Sequence, residues 1–163
     1  MNSAQLHPAR FRAIRGIAII SLLVGVWALR ARFSLIVVIG SSMQPTFENG
    51  DVVIVDKQSY WEVVPQRGDI VIAREHNDYV LKRIVGLPEE KVEIRQGSLF
   101  VEGSRIHEGY VVSKGGLFVG QGRLPANHFG LTGDNRSAPD STTAVIAERN
   151  RLVGKVVARI FSL

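Results

Sequence analysis

The chain contains no cysteine, so a disulfide framework, a thiolate metal site and thiol chemistry are all excluded. Its four histidines, His7, His76, His107 and His128, are scattered, and no metal-ligand spacing joins them. No metal and no cofactor is therefore expected. Acidic residues are missing from the first 32 positions, which hold Arg10, Arg12, Arg15, Arg30 and Arg32. From residue 33 onward 15 basic and 15 acidic side chains balance, so the net charge of +5 flanks one segment and does not form a basic face. That distribution argues against nucleic acid as a partner and for a lipid bilayer. No internal repeat is present beyond two similar Gly-Asp strand starts, at Gly50-Asp51 and Gly68-Asp69.

Long apolar runs are also scarce. The longest, 16–29, has 14 residues, against the roughly 17–25 of a spanning helix. Arg15 and Arg30 bracket it and can snorkel, which lengthens the usable span; Trp27 sits where an interfacial aromatic would. A buried core helix or a cleavable signal peptide would share this composition. The run ends in Leu-Arg-Ala-Arg, however, and not in a small-x-small cleavage site. The expected organisation is a cytoplasmic tail over 1–13, a single-pass transmembrane anchor over 14–29 and a β-rich body over 33–163. Arg10, Arg12 and Arg15 favour a cytoplasmic N-terminus, against a smaller opposing charge from Arg30 and Arg32.

A chain of 163 residues fits one domain of ordinary size, and at 45% hydrophobic overall it can bury a core. Short Val/Ile-rich runs bounded by Gly, Pro, Asp and Asn predict strands over 52–55, 70–73, 79–85, 129–132 and 152–161. The segment 33–39 reads as a strand or extended linker, and 91–101 as a hairpin turning at Gln96-Gly97. The glycine-rich stretch 108–127 reads mainly as loop. Beyond residue 32, only 142–150 is a candidate short helix. The expected fold class is mainly β.

Three ordered pieces carry chemistry: Gly40-Ser41-Ser42-Met43-Gln44-Pro45-Thr46, Lys82-Arg83-Ile84-Val85-Gly86-Leu87-Pro88, and Gly133-Asp134-Asn135-Arg136 ahead of Asp140-Ser141. Serine needs a base within hydrogen-bond reach, and a lysine serves only when neutral, well below its usual pKa of about 10.4. Burial lowers it by penalising the ammonium. The period of two places Lys82 on one face with Val80 and Ile84, and Arg83 on the other with Leu81 and Val85. An edge strand with two surface cations fits the same residues. Gly40 and Pro45 constrain the serine turn, which can leave the Ser42 N–H as an oxyanion donor. Met43 packs beneath the turn or borders a cleft. Ser41 competes as nucleophile on residue type alone. Of the histidines only His128 could approach the site.

Over roughly four-fifths of its length, from about Arg30 onward, the chain resembles the bacterial type I signal peptidases, membrane-bound Ser/Lys endopeptidases. The resemblance implies Ser42 as nucleophile, Lys82 as general base and Asp134, Asn135 and Asp140 as supports. It also implies an antiparallel-sheet catalytic domain outside the cytoplasm and signal peptides of exported proteins as partners, cut after small residues. The chain departs from the pattern at several positions. Gly40 replaces the serine many members place two residues before the nucleophile, and Ser137 is the nearest candidate to orient the lysine. Thr142 stands where arginine usually follows Asp-Ser, leaving Asp140 to another cation such as Arg136 or Arg83; Glu89 stands where glycine is more usual. The alternatives are a maturation peptidase dedicated to one substrate, a self-cleaving peptidase of the phage-repressor type, and an inactive membrane-tethered β-module.

Overall fold

The computed structural model describes residues 8–137 and 144–161. The chain divides into two compact units, Met1–Phe33 and Ser34–Leu163. The first is a helix, α1 (Pro8–Arg32), of 25 residues with Arg30 and Arg32 in its last turn, where cations complement the helix dipole. Within it Ile14–Arg32, 19 residues of mean hydropathy 1.8 and none of them buried, is long and apolar enough to cross a membrane.

Among the described residues eleven strands follow: β1 (Phe33–Val37), β2 (Val52–Asp56), β3 (Ile70–Glu75), β4 (Asp78–Gly86), β5 (Lys91–Arg95), β6 (Ser98–Val101), β7 (Ser104–Arg105), β8 (Val119–Arg123), β9 (His128–Thr132), β10 (Val145–Glu148) and β11 (Leu152–Phe161). Seven form one sheet in the order β1-β2-β11-β3-β4-β9-β10, and four form a second in the order β7-β6-β5-β8. From β2 onward the pairings are antiparallel. Alternation along the strands sorts side chains to two faces of the large sheet. Val71, Ala73 and Ile84 pack with Phe129 and Leu131 on one face. Val53, Val55 and Ile72 pack with Met43 and Phe47 on the other.

The two Gly-Asp turns share one local construction. Gly50 and Gly68 both adopt φ in the left-handed region, 97° and 94°, and each following carboxylate accepts a backbone N–H from three residues upstream: Glu48 N to Asp51 at 2.9 Å and Gln66 N to Asp69 at 3.1 Å. Each then meets a cation on β11, Arg159 for Asp51 and Lys155 for Asp69. The likeness therefore reflects the chemistry of starting a strand, as expected, and the strands that these turns open, β2 and β3, flank β11 on either side.

Two expectations fail, and a third holds in the main. The stretch read mainly as loop over 108–127 is loop apart from β8, which pairs with β5. Its glycines at 120 and 122 and its largely exposed faces leave no hydrophobic alternation to read. The described part of the 142–150 segment holds β10 and a 3-10 turn (Arg149–Arg151) in place of a helix, because Ala147 is buried against the sheet while Ile146 points outward. A helical turn, α2 (Ser59–Glu62), stands where none was expected; it is anchored by buried Tyr60, whose hydroxyl donates to Asp69 at 3.0 Å.

Candidate active site

The serine turn is fixed before any chemistry is considered. Val38 N–H donates to Asp51 O and Gly50 N–H to Val38 O, both at 2.8 Å, closing the loop that leads from β1 to β2. Gly40 takes φ 99°, a value side-chain-bearing residues resist, and its N–H donates to Asn49 Oδ1 at 2.9 Å. Gln44 N donates to Ser41 O and Phe47 N to Met43 O. Met43, 1% exposed, and Phe47 bury the underside of the turn.

The Gly133-Asp134-Asn135-Arg136 turn, which follows β9, meets this loop backbone to backbone. Asn135 N–H donates to Ser42 O at 2.9 Å and Asn135 Nδ2 to Ser41 O at 3.2 Å. A Cβ on Gly133 would lie 2.3 Å from Ser42 O, so only glycine fits that contact. Asp134, fully buried, takes a fork from the guanidinium of Arg83, with Nε to Oδ1 at 2.8 Å and Nη2 to Oδ2 at 2.6 Å. Thr46 Oγ1 donates to the same carboxylate, and Arg83 Nη1 donates to Gly68 O at 2.8 Å. Burial works against the Arg83 charge, but the Asp134 carboxylate more than offsets it, so the guanidinium pKa is raised above its ordinary value. Asp134 thus acts on the neighbour of Lys82 and on the serine turn together.

Lys82 lies on the opposite face of β4, opposite Val71 on β3, and is 5% exposed. Lys82 and Ser42 line one cleft of about 310 Å³, with Ile39, Gly40, Val80 and Leu81 along its walls and Glu75 and Tyr79 toward the β3–β4 turn. Among the described residues, β9 pairs with β4 only at Arg83, Ile84 and Gly86. Residues 80–82 therefore turn their second edge to the cleft.

Ser42 and Lys82 thus line the same cleft, Ser41 does not, and Met43 both packs under the turn and lines the cleft. Ser137 is elsewhere: its hydroxyl meets Ser113 Oγ at 2.5 Å, its N–H donates to Asn135 Oδ1, and it is absent from the cleft lining. Asp140 lies outside the described residues, as does Thr142. The two cations considered for Asp140 have other carboxylate partners, Asp134 for Arg83 and Glu108 for Arg136. His128, at the start of β9, holds Ala126 O at 2.8 Å through Nδ1 and does not line the cleft. Among the described residues no group of three or more His, Cys, Asp or Glu could hold a metal.

The roles of Thr46, Glu75, Tyr79, Glu108 and Tyr110 do not follow from sequence. Tyr79 had a signal, as the first residue of the strand expected over 79–85. Glu108 and Tyr110 had none, lying in a glycine-rich stretch about 26 residues from Lys82. Glu89 adopts φ 66°, which is why glycine suits that position better.

Residues 10–161 match the profile of a family described as signal peptidase, peptidase S26. Signal peptidase I of Bacillus caldolyticus is 36% identical over 142 residues, covering 76% of this chain and 77% of that protein. Probable signal peptidase I-2 of Synechocystis sp. is 32% identical over 130 residues, covering 74% of this chain and 60% of that protein. Signal peptidase I of Leptolyngbya laminosa is 33% identical over 131 residues, 74% of this chain and 64% of that protein. The chain thus spans somewhat under two thirds of the length of the two cyanobacterial relatives. A match over nearly the whole sequence, with the serine, lysine and Gly-Asp-Asn segments in order along it, places this chain in the S26 signal peptidase family.

Proposed function

We propose that the chain is a membrane-anchored serine endopeptidase that removes signal peptides from exported proteins, with Ser42 as nucleophile and Lys82 as general base. The observation that carries this reading is the shared cleft: a partly exposed serine and a buried lysine line one cavity beside an open strand edge. Burial beside Val71, its cross-strand partner on β3, disfavours the ammonium form of Lys82. The neutral amine takes the proton of Ser42 Oγ as the oxygen attacks the scissile carbonyl and hands it to the leaving amine as the peptide bond breaks; neutral again, it takes a proton from the water that hydrolyses the acyl-enzyme and returns it to Ser42 Oγ. Ser42 N–H makes no hydrogen bond to the described residues and is a suitable oxyanion donor; Gly40 N–H, committed to Asn49, is not. An extended substrate adds as a strand between residues 38–40 and 80–82, and the small cleft volume suits small residues at P1 and P3. The arginine-flanked helix is the anchor, over about 14–29, with tail 1–13 in the cytoplasm and the body 33–163 outside.

A labelled Ala-x-Ala peptide in detergent tests the assignment. Ser42→Ala should lower kcat by on the order of 10⁴-fold or more, because nucleophile and base act as one unit. Ser41→Ala, whose carbonyl and not its hydroxyl is used by Asn135, should keep most activity. The opposite pattern would make Ser41 the nucleophile.

A further inference from the structure

Behind the Arg83–Asp134 fork stands a second layer of side chains. Arg136 is fully buried and donates through Nε to Gly133 O at 2.8 Å and through Nη1 to Gly97 O at 2.9 Å, in the β5–β6 turn. Its Nη2 donates to Glu108 Oε1 at 2.7 Å, with the Glu108 side chain 5% exposed. Glu108 also accepts the Tyr110 hydroxyl at 2.7 Å. The Tyr110 ring lies against the guanidinium of Arg83, with Cζ 3.9 Å from its centroid, a stacking distance at which cation and ring attract. One carboxylate thus joins the residue that carries the Gly133 turn to the residue next to Lys82.

We propose that Glu108 and Tyr110, carried on the segment between β7 and β8, are positioning residues that set the spacing between Ser42 and Lys82. Tyr110 fixes the plane of Arg83 and hence the path of β4 at Lys82. Glu108 fixes Arg136 and hence Gly133, which sits so close to the Ser42 carbonyl that a Cβ would not fit. The small sheet thereby takes part in the site without lining the cleft. The hydroxyl is suited to this: burial, then the Glu108 hydrogen bond, raise its pKa, so it remains a donor through the working range. The proposal rests on the Ser42/Lys82 reading above.

The test compares Tyr110→Phe, which keeps the ring over Arg83, with Tyr110→Leu, which removes it, in the full detergent-solubilised chain. Tyr110→Leu should lower kcat by roughly 30–100-fold with KM within about twofold, because a displacement of about 1 Å at the reacting atoms costs on the order of 10². Tyr110→Phe should retain kcat within about threefold. A purely structural role would lower Tm and the folded fraction but leave kcat per folded molecule unchanged. That result, or a loss appearing in KM, overturns the proposal. The second readout needs no cleavage: the Lys82 titration followed by NMR on ¹³C-labelled lysine. Its midpoint should move by about half a pH unit or more in Tyr110→Leu, because the neighbouring Arg83 charge shifts. If the wild type fails to cleave any peptide, the peptidase reading falls and the titration alone decides, an unmoved midpoint refuting the positioning role.

Discussion

The two faces of β4 each bury a cation, and they use it differently. Lys82 and Arg83 are consecutive, 5% and 9% exposed, yet Arg83 is held in a planar fork by Asp134 with Tyr110 stacked on it. Lys82 lies on the opposite face and lines the cleft with Ser42. A guanidinium with its pKa raised stays charged and can only organise. A primary amine, 5% exposed and paired across the sheet with Val71, is the group proposed to give up its proton. Burial alone therefore does not make a base; the identity of the cation and what its face of the strand offers it do. One face of β4 carries architecture, the other the proposed chemistry.

That contrast can be broken by two substitutions. Lys82→Met should abolish cleavage, by on the order of 10³-fold or more, with a smaller fall in Tm than a break in the fork on the other face. Asp134→Asn makes that break, leaving the Arg83 charge buried without its counter-charge at a cost of about 3–5 kcal/mol. For a body of this size that is a fall in Tm of roughly 10–20 °C. Thermal melts of the two variants side by side check it; equal destabilisation would mean that the two faces do not differ.

How much of this could be read beforehand follows the same division. Period-two alternation separated Lys82 from Arg83 and located β2, β3, β4, β9 and β11 of the large sheet, because those strands are half-buried and rich in Val and Ile. The Gln96-Gly97 hairpin was legible for a local reason, as both residues take positive φ, 48° and 68°. Gly40 was legible likewise. Gly133 was recognisable only as part of a motif; its physical reason, the 2.3 Å approach of a would-be Cβ to Ser42 O, depends on a contact 91 residues away in sequence. β8, Glu108 and Tyr110 left no pattern, since their roles come from β5, Arg136 and Arg83 and not from their own neighbours. Asp134, expected only as a support of the site, has Arg83 as its partner.

A smaller effect sharpens the comparison through the tyrosine on each face. Tyr60 packs in the cluster that contains Ile84 and Val71, and Tyr110 packs on Arg83. Burial first, then the neighbouring carboxylates Asp69 and Glu108, raise both phenol pKa values. A raised acid is kept neutral by the fold, so its contribution to stability is whole below the unfolded pKa of about 10 and is lost as pH rises beyond it. Urea midpoints at pH 8 and pH 11 should fall further for the wild type than for Tyr60→Phe. An equal fall in both would remove Tyr60 from the account.

The central claim is that Lys82 works as a neutral base, and the pH dependence of kcat/KM tests it most directly. For an Ala-x-Ala peptide in detergent, the rate should climb through an apparent pKa well below the roughly 10.4 of free lysine, and Lys82→Arg should be inactive across the whole range. A rate that begins to rise only near pH 10, or full activity in Lys82→Arg, would contradict it.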